Sequence, residues 1–128
     1  MRSRILFVSG HPDDARRLSR MLHSLPLAVE HVKTLQQAHA RLKQDEYAVI
    51  LTEVSLPDGK WLDVLNLARK FPPLEVIVTD RQADAQFWSQ ILNLGAYDLL
   101  TQPFAEPEVR RILYNACSRA GQKTLAAG

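Results

Sequence analysis

The chain has 128 residues, 46% apolar and 23% charged, a size and composition typical of one globular domain rather than a disordered segment. Its net charge of +2 comes from 16 basic and 14 acidic residues mixed along the sequence, so neither a nucleic acid nor a membrane surface is indicated as a direct partner. A single cysteine excludes an internal disulfide, and no apolar run is long enough for a membrane span, so we expect a cytoplasmic protein.

Five short apolar segments recur along the chain, each followed by a segment with helical periodicity. They are rich in valine, isoleucine and leucine and too short for helices: residues 5–8, 27–32, 48–51, 76–79 and 99–100. In the segments that follow them, apolar residues recur every three or four positions and therefore share one helical face. In the fourth of these, the predicted buried face includes Trp88 and Ile91, whereas Phe87 falls off it.

Residues with strong preferences at helix ends mark the same boundaries. Pro12 suits a first helical position, Thr34 followed by Gln37 forms a capping box, and Gly95 suits the end of the fourth helix. Five strands alternating with five helices predict a doubly wound α/β domain, a five-stranded parallel sheet with helices on both faces. We assign residues 1–120 to this domain and residues 121–128, which are small or polar, to a flexible tail.

The stretch SGHPDD at residues 9–14 follows the first predicted strand, at the edge where such folds bind ligands. VSGHPDD resembles the motif of zinc-dependent deacetylases of N-acetylated sugars, in which His and Asp bind zinc and a neighbouring Asp acts as base. Residue 15 is alanine where those enzymes usually have glutamate, and no His-x-x-His pair follows. The structural interpretation is that Pro12 opens a helix whose N-terminus Asp13 and Asp14 stabilise. We expect no metal and no cofactor, and keep a zinc-dependent deacetylase or ligand binder as the alternative.

A second resemblance covers nearly the whole chain. EVSLPDG at residues 53–59, LGAYDLLTQPF at residues 94–104 and the spacing of the five β-α units resemble the CheY-like receiver domain of two-component response regulators. The resemblance implies a flavodoxin-like (βα)5 fold with strand order 2-1-3-4-5. It also implies a site where an aspartate accepts a phosphoryl group with the help of Mg²⁺ and a lysine, and a cis peptide bond before Pro103.

Aligned with that family, this chain lacks the residues that carry the chemistry. Ser9 and Gly10 stand at the two acidic positions after the first strand, so neither supplies a carboxylate for Mg²⁺. Glu53 stands at the phosphoacceptor position, and Gln102 replaces the lysine before Pro103. The resemblance therefore implies an atypical receiver, a pseudo-receiver that is neither phosphorylated nor an enzyme.

Further positions of the site depart from the pattern as well. The switch hydroxyl position falls on Asp80 when counted without a gap and on Thr79 with one inserted residue, and we favour Asp80. Leu99 occupies the aromatic switch position, and Arg81 stands where the family usually has a small residue. Arg81 either bridges the carboxylates of Glu53 and Asp80 or points into solvent as most loop arginines do, and we favour the solvent position. We expect Asp13 and Asp14 to lie too far along the helix to replace the acidic pair.

If the domain is not phosphorylated, its surface is the remaining candidate for a functional role. In the resembling family the fourth helix, fifth strand and fifth helix form the output and dimerisation face. Its candidate contact residues here are aromatic side chains and arginines, types enriched at interface hot spots: Phe87, Tyr97, Arg110, Arg111 and Tyr114. The sequence thus predicts a regulatory protein-interaction module whose partner is a histidine kinase, an output domain, another regulator or a second copy.

Overall fold

The sheet has the predicted number and order of strands. The computed structural model describes residues 2–82 and 84–127. Its main sheet contains five strands, β1 (Ser3–Val8), β2 (Leu27–Val32), β3 (Val49–Glu53), β4 (Glu75–Asp80) and β5 (Asp98–Thr101). The strand order is β2-β1-β3-β4-β5 and every pair is parallel, which confirms the predicted doubly wound topology.

Five helices connect and follow these strands: α1 (Pro12–Met21), α2 (Leu35–Gln44), α3 (Trp61–Ala68), α4 (Ala85–Asn93) and α5 (Glu106–Ala127). Two short antiparallel strands, Ser55–Leu56 and Gly59–Lys60, lie between β3 and α3 and were not predicted. The helix α5 continues to Ala127, so the domain boundary predicted at residue 120 falls inside it; Gly128 lies outside the described residues. None of the helices described here is long and apolar enough to cross a membrane.

The core consists of two layers, one on each face of the sheet. Alternate residues of β1 divide between them, because successive side chains of a strand point to opposite faces. Ile5 and Phe7 pack with α1 and α5, whereas Leu6 and Val8 pack with α2, α3 and α4. All four are fully buried, which explains why the strands appear in the sequence as continuous apolar runs.

The predicted helix ends are present. Pro12 is the first residue of α1, the Thr34 hydroxyl accepts the Gln37 backbone N–H at 3.0 Å, and Gly95 follows α4 with φ of +113°. The carboxylate of Asp58 accepts two further N–H groups at the start of α2. The Gln102–Pro103 peptide is cis, as the resemblance implied; the Pro72–Pro73 peptide is cis as well and was not predicted.

Candidate functional site

Glu53 lies at the carboxyl end of β3, and both of its carboxylate oxygens are engaged by the loop after β1. The backbone N–H of Gly10 donates to Oε1 at 2.7 Å, and His11 Nδ1 lies 2.8 Å from Oε2. The Glu53 side chain is only 15% exposed, whereas that of His11 is 58% exposed. The group at the phosphoacceptor position is therefore held by two donors within the chain.

Ser9 and Gly10 bring no charge to this edge of the sheet. Ser9 is fully buried, its hydroxyl accepts the His11 backbone N–H at 2.9 Å, and its carbonyl lies 2.7 Å from His31 Nε2. Gly10 is exposed, and an added Cβ there would meet no atom within 4 Å. A side chain would thus fit at residue 10, but glycine supplies none.

Asp14 points into the site, and the expectation that it lies too far along α1 was wrong. Its side chain is 6% exposed, and its Oδ2 accepts from Gln102 Nε2 at 3.1 Å and from Arg81 Nη2 at 3.2 Å. Asp14 is one turn before Leu18, on the buried face of the helix, since residues four apart share a face. Its neighbour Asp13 is exposed and pairs with Arg16.

Arg81 does not bridge Glu53 and Asp80, the less favoured of the two arrangements considered from the sequence. Among the described residues, its carboxylate partner is Asp14, and it forms no hydrogen bond with Glu53 or Asp80. The Arg81 side chain is 59% exposed, so the pair with Asp14 is open to solvent on one side. A salt bridge is present at the site, but it links β4 to α1 rather than two strand ends.

Thr79, rather than Asp80, lies beside Glu53. The β3–β4 register pairs Glu53 with Thr79, so their side chains point to the same face of the sheet, towards α1 and α5. Thr79 is 1% exposed, and within the described part of the chain its hydroxyl has no hydrogen-bond partner. Asp80 follows on the opposite face and accepts the Gln82 backbone N–H at 3.3 Å. The geometry therefore favours the gapped alternative for the switch hydroxyl.

The two positions that hold Mg²⁺ in the resembling family do not fit this ion here, and the nearby carboxylates of Asp14 and Glu53 already accept hydrogen bonds from the chain. Mg²⁺ requires a near-octahedral shell of oxygen ligands, usually with carboxylates. Ser9 offers a hydroxyl that already accepts a hydrogen bond, and Gly10 offers no side chain. We therefore derive no chemical step through Mg²⁺.

Leu99, at the aromatic switch position, is buried in the same core layer as Ile91 and has no ring to reorient.

A separate groove of about 400 Å³ lies between α4, β5 and α5. Its wall carries three acidic side chains, Asp84, Asp98 and Glu108, together with Trp88 and Arg111. Trp88 is 46% exposed and donates from its indole N–H to Asp98 at 3.1 Å. Of the residues predicted for this face, Arg111 lies on it.

Adjacent positions on α4 were assigned to the wrong faces. Trp88, predicted to be buried, is exposed, and Phe87, predicted to be exposed, packs edge-on against Trp61 with ring centroids 5.9 Å apart. Trp61 is 8% exposed and belongs to the core. The aromatic residue available for contacts on this helix is therefore Trp88.

The remaining interface candidates do not line this groove. Arg110 donates to the carbonyls of Met21 and His23, both at 3.0 Å, and so holds the end of α1. Tyr114 is 46% exposed but lies one turn further along α5 on the side of Arg110. Tyr97 is half-buried against the core layer that contains α1 and α5. Arg110 therefore faces α1, whereas a contact role for Tyr97 and Tyr114 stays a prediction.

The HPDD motif forms the start of α1. His11 is the residue before α1, Pro12 opens the helix, and Asp13 stays in solvent, as the structural interpretation predicts. Among the described residues, the side chains close enough to share a metal ion are His11, Asp14 and Glu53, a set with a single histidine.

Comparisons with known proteins point to one family. The family profile described as the response regulator receiver domain matches residues 5–114. The chain is 26% identical to the response regulator protein PilR of Pseudomonas aeruginosa over 116 residues, which are 90% of this chain and 26% of PilR. It is 31% identical to the transcriptional regulatory protein KdpE of Staphylococcus aureus over 114 residues, 86% of this chain and 48% of KdpE. The chain thus spans between a quarter and a half of these curated relatives.

Solved structures show the same fold at low sequence identity. A signal receiver domain from Vibrio parahaemolyticus superposes with a TM-score of 0.90 at 22% identity, covering 100% of this chain and 99% of that one. The beryllofluoride-activated NtrC4 receiver domain dimer gives a TM-score of 0.82 at 24% identity, covering 91% of this chain and 98% of that one.

Proposed function

Because this chain belongs to the response regulator receiver domain family of two-component systems, we propose that it is a receiver domain that is not phosphorylated and that acts through protein contacts. The observation that carries this proposal is the state of Glu53. Both of its carboxylate oxygens are occupied by donors from the loop after β1, Gly10 and His11. A carboxylate held in this way is not free to attack a phosphoryl donor.

The second support is electrostatic. Phosphoryl transfer depends mainly on positive charge placed around the transferred group. Here the lysine position holds the neutral Gln102, and its amide donates to Asp14. The guanidinium of Arg81, a cation at this edge, is paired with the same carboxylate. The cluster of Asp14, Arg81 and Gln102 therefore satisfies itself and leaves little positive charge for a phosphate.

We propose the α4–β5–α5 face as the contact surface. Trp88 and Arg111 belong to residue types enriched at hot spots, and the groove beside them is lined by acidic groups. A basic partner segment would fit the acidic groove, supplied by a histidine kinase, an output domain or another regulator. A second copy of the chain is the other candidate, since the NtrC4 receiver domain forms a dimer.

Beryllofluoride, which mimics a bound phosphoryl group, tests the loss of the site's chemistry. We expect no change in the ¹⁵N–¹H spectrum when beryllofluoride and Mg²⁺ are added, at Gly10, Glu53 or Thr79 in particular. Saturable shifts at these three amides that also spread to Trp88 would contradict the proposal, because they would show a working site coupled to the output face.

Sedimentation of the wild type and of Trp88→Ala tests whether the α4–β5–α5 face is the contact surface. If the partner is a second copy, we expect the wild type to associate and Trp88→Ala to remain a monomer. Association that persists in both Trp88→Ala and Arg111→Glu would place the contact on another surface. Tyr114→Ala is the matched control, since Tyr114 is equally exposed but lies outside the groove.

A further inference from the structure

Three potential metal ligands from three separate elements meet at the edge of the sheet. His11 comes from the loop after β1, Asp14 from the first turn of α1 and Glu53 from the end of β3. One ligand atom of each lies within 4.8 Å of the others. His11 and Asp14 do not stand at the acidic-pair positions, which are Ser9 and Gly10, so this constellation differs from the acidic pair of the resembling family.

The chemistry of this set selects a particular class of ion. One imidazole nitrogen and two carboxylate oxygens suit first-row divalent transition metals, whereas Mg²⁺ and Ca²⁺ prefer oxygen ligands alone. Zinc binds nitrogen and oxygen at about 2.1 Å, which places tetrahedral ligands roughly 3.4 Å apart. His11 Nδ1 and Glu53 Oε2 are 2.8 Å apart, so only small side-chain movements separate the present arrangement from coordination.

Thr79 supplies an independent indication of a missing partner. Its hydroxyl is buried, has no hydrogen-bond partner among the described residues, and lies on the same face of the sheet as Glu53. Buried polar groups are nearly always satisfied, and an unpaired one calls for an explanation such as a bound ion or its water. A water on a metal ion at Glu53 would provide that partner.

The local charge also accommodates a dication. Asp14 and Glu53 are two carboxylates, and His11 binds metal in its neutral form. Arg81 shares Asp14 in the present structure, but its side chain is 59% exposed and can turn into solvent. We propose that His11, Asp14 and Glu53 form a binding site for a divalent transition-metal ion of the zinc class, and that the ion and Arg81 compete for Asp14.

Calorimetric titration with zinc chloride tests the site, on untagged protein purified with a chelator. We expect one zinc ion per chain and no heat from Mg²⁺. His11→Asn and Asp14→Asn each weaken zinc binding by about 100-fold or more, since loss of even an outer-shell partner costs 10- to 100-fold. His23→Asn and Asp13→Asn are matched controls that keep wild-type affinity, because both residues are exposed and outside the cluster.

Two results would overturn the proposal. One is an absence of zinc binding by the wild type at millimolar concentration; the other is equal binding by Asp14→Asn and Asp13→Asn. Should a variant fail to fold, paramagnetic Co²⁺, which accepts the same nitrogen and oxygen ligands as zinc, decides instead when added to the wild type. Line broadening centred on the amides of His11 and Glu53 supports the site, and broadening elsewhere refutes it. None of these metal-binding results bears on phosphorylation, which is tested separately.

Discussion

Removing the Asp14 carboxylate should destabilise the domain more than removing its neighbour Asp13. Asp14 accepts from Gln102 and Arg81 with its side chain 6% exposed. A hydrogen bond to a charged group contributes about 1.5 to 3 kcal/mol. The contact with Arg81 adds less than about 1 kcal/mol, because that side chain is 59% exposed and the pair is screened by solvent.

The desolvation of a buried carboxylate opposes these gains, so the net effect is smaller than their sum. We expect Asp14→Ala to lower the free energy of unfolding by about 2 kcal/mol and Asp14→Asn, which still accepts from Gln102, by about 1 kcal/mol. Asp13→Ala should lower it by less than about 1 kcal/mol, since its pair with Arg16 is exposed and only the helix N-terminal interaction is lost.

Urea unfolding followed by circular dichroism measures these differences. A double-mutant cycle of Asp14→Ala with Arg81→Ala should give a coupling free energy of about 0.5 to 1 kcal/mol. Equal effects of Asp14→Ala and Asp13→Ala would refute the role assigned to Asp14, and so would a more stable Asp14→Ala. No coupling with Arg81 would show that the salt bridge contributes nothing in solution.

Burial raises the pKa of the Cys117 thiol to about 12, so the native protein should resist iodoacetamide at pH 8 and react fully once unfolded; fast labelling of the native state would contradict its burial. The backbone N–H groups at the start of α2 lower the pKa of Asp58, so its stabilising effect is present above its ordinary pKa and is lost as the pH falls through the lowered value. We therefore expect Asp58→Ala to cost about 1 kcal/mol at pH 7 and progressively less below about pH 4 in urea unfolding, and a cost independent of pH would be inconsistent with this. Trp61→Ala should cost about 3 to 5 kcal/mol and Trp88→Ala less than about 1 kcal/mol, and equal costs would contradict their different burial.

The fold could be predicted because its strands are buried on both faces. Apolar runs such as residues 5–8 and 76–79 have no alternating polar positions, and the helices between them keep a clear period. The end of α5 was missed because residues 121–128 are small or polar and carry no strong helical pattern. The prediction of a flexible tail used composition alone, and composition does not show whether the preceding helix continues.

The sequence identifies which residues of the family pattern are replaced at the site. It does not show how the residues that are present pair with one another. Ser9, Gly10 and Gln102 stand out because they replace charged residues in a recognisable motif. The sequence does carry a signal for the role of Asp14: it lies four residues before Leu18, so an acidic residue shares the apolar face of α1. The sequence could not decide whether Thr79 or Asp80 takes the switch hydroxyl position, because one inserted residue in the following loop shifts the alignment by one. The strand register decides it, since it fixes which of the two side chains lies on the same face of the sheet as Glu53.

The sequence also could not decide which of Phe87 and Trp88 points towards the core. Neighbouring residues on a helix differ by about 100° in direction, so either side chain can sit at the edge of an apolar stripe. The choice is made by Trp61 on α3, whose ring provides the partner for Phe87. Such pairing depends on the packing of two helices that are distant in sequence.

Incubation with acetyl phosphate and Mg²⁺, followed by intact-mass spectrometry, tests the loss of phosphorylation most directly. We expect no mass increase by one phosphoryl group in the wild type. A rebuilt variant that combines Ser9→Asp, Gly10→Asp, Glu53→Asp and Gln102→Lys is the positive control, and Gly10 has room for the added side chain. A phosphorylated wild-type species that survives repurification and disappears in Glu53→Gln would contradict the account.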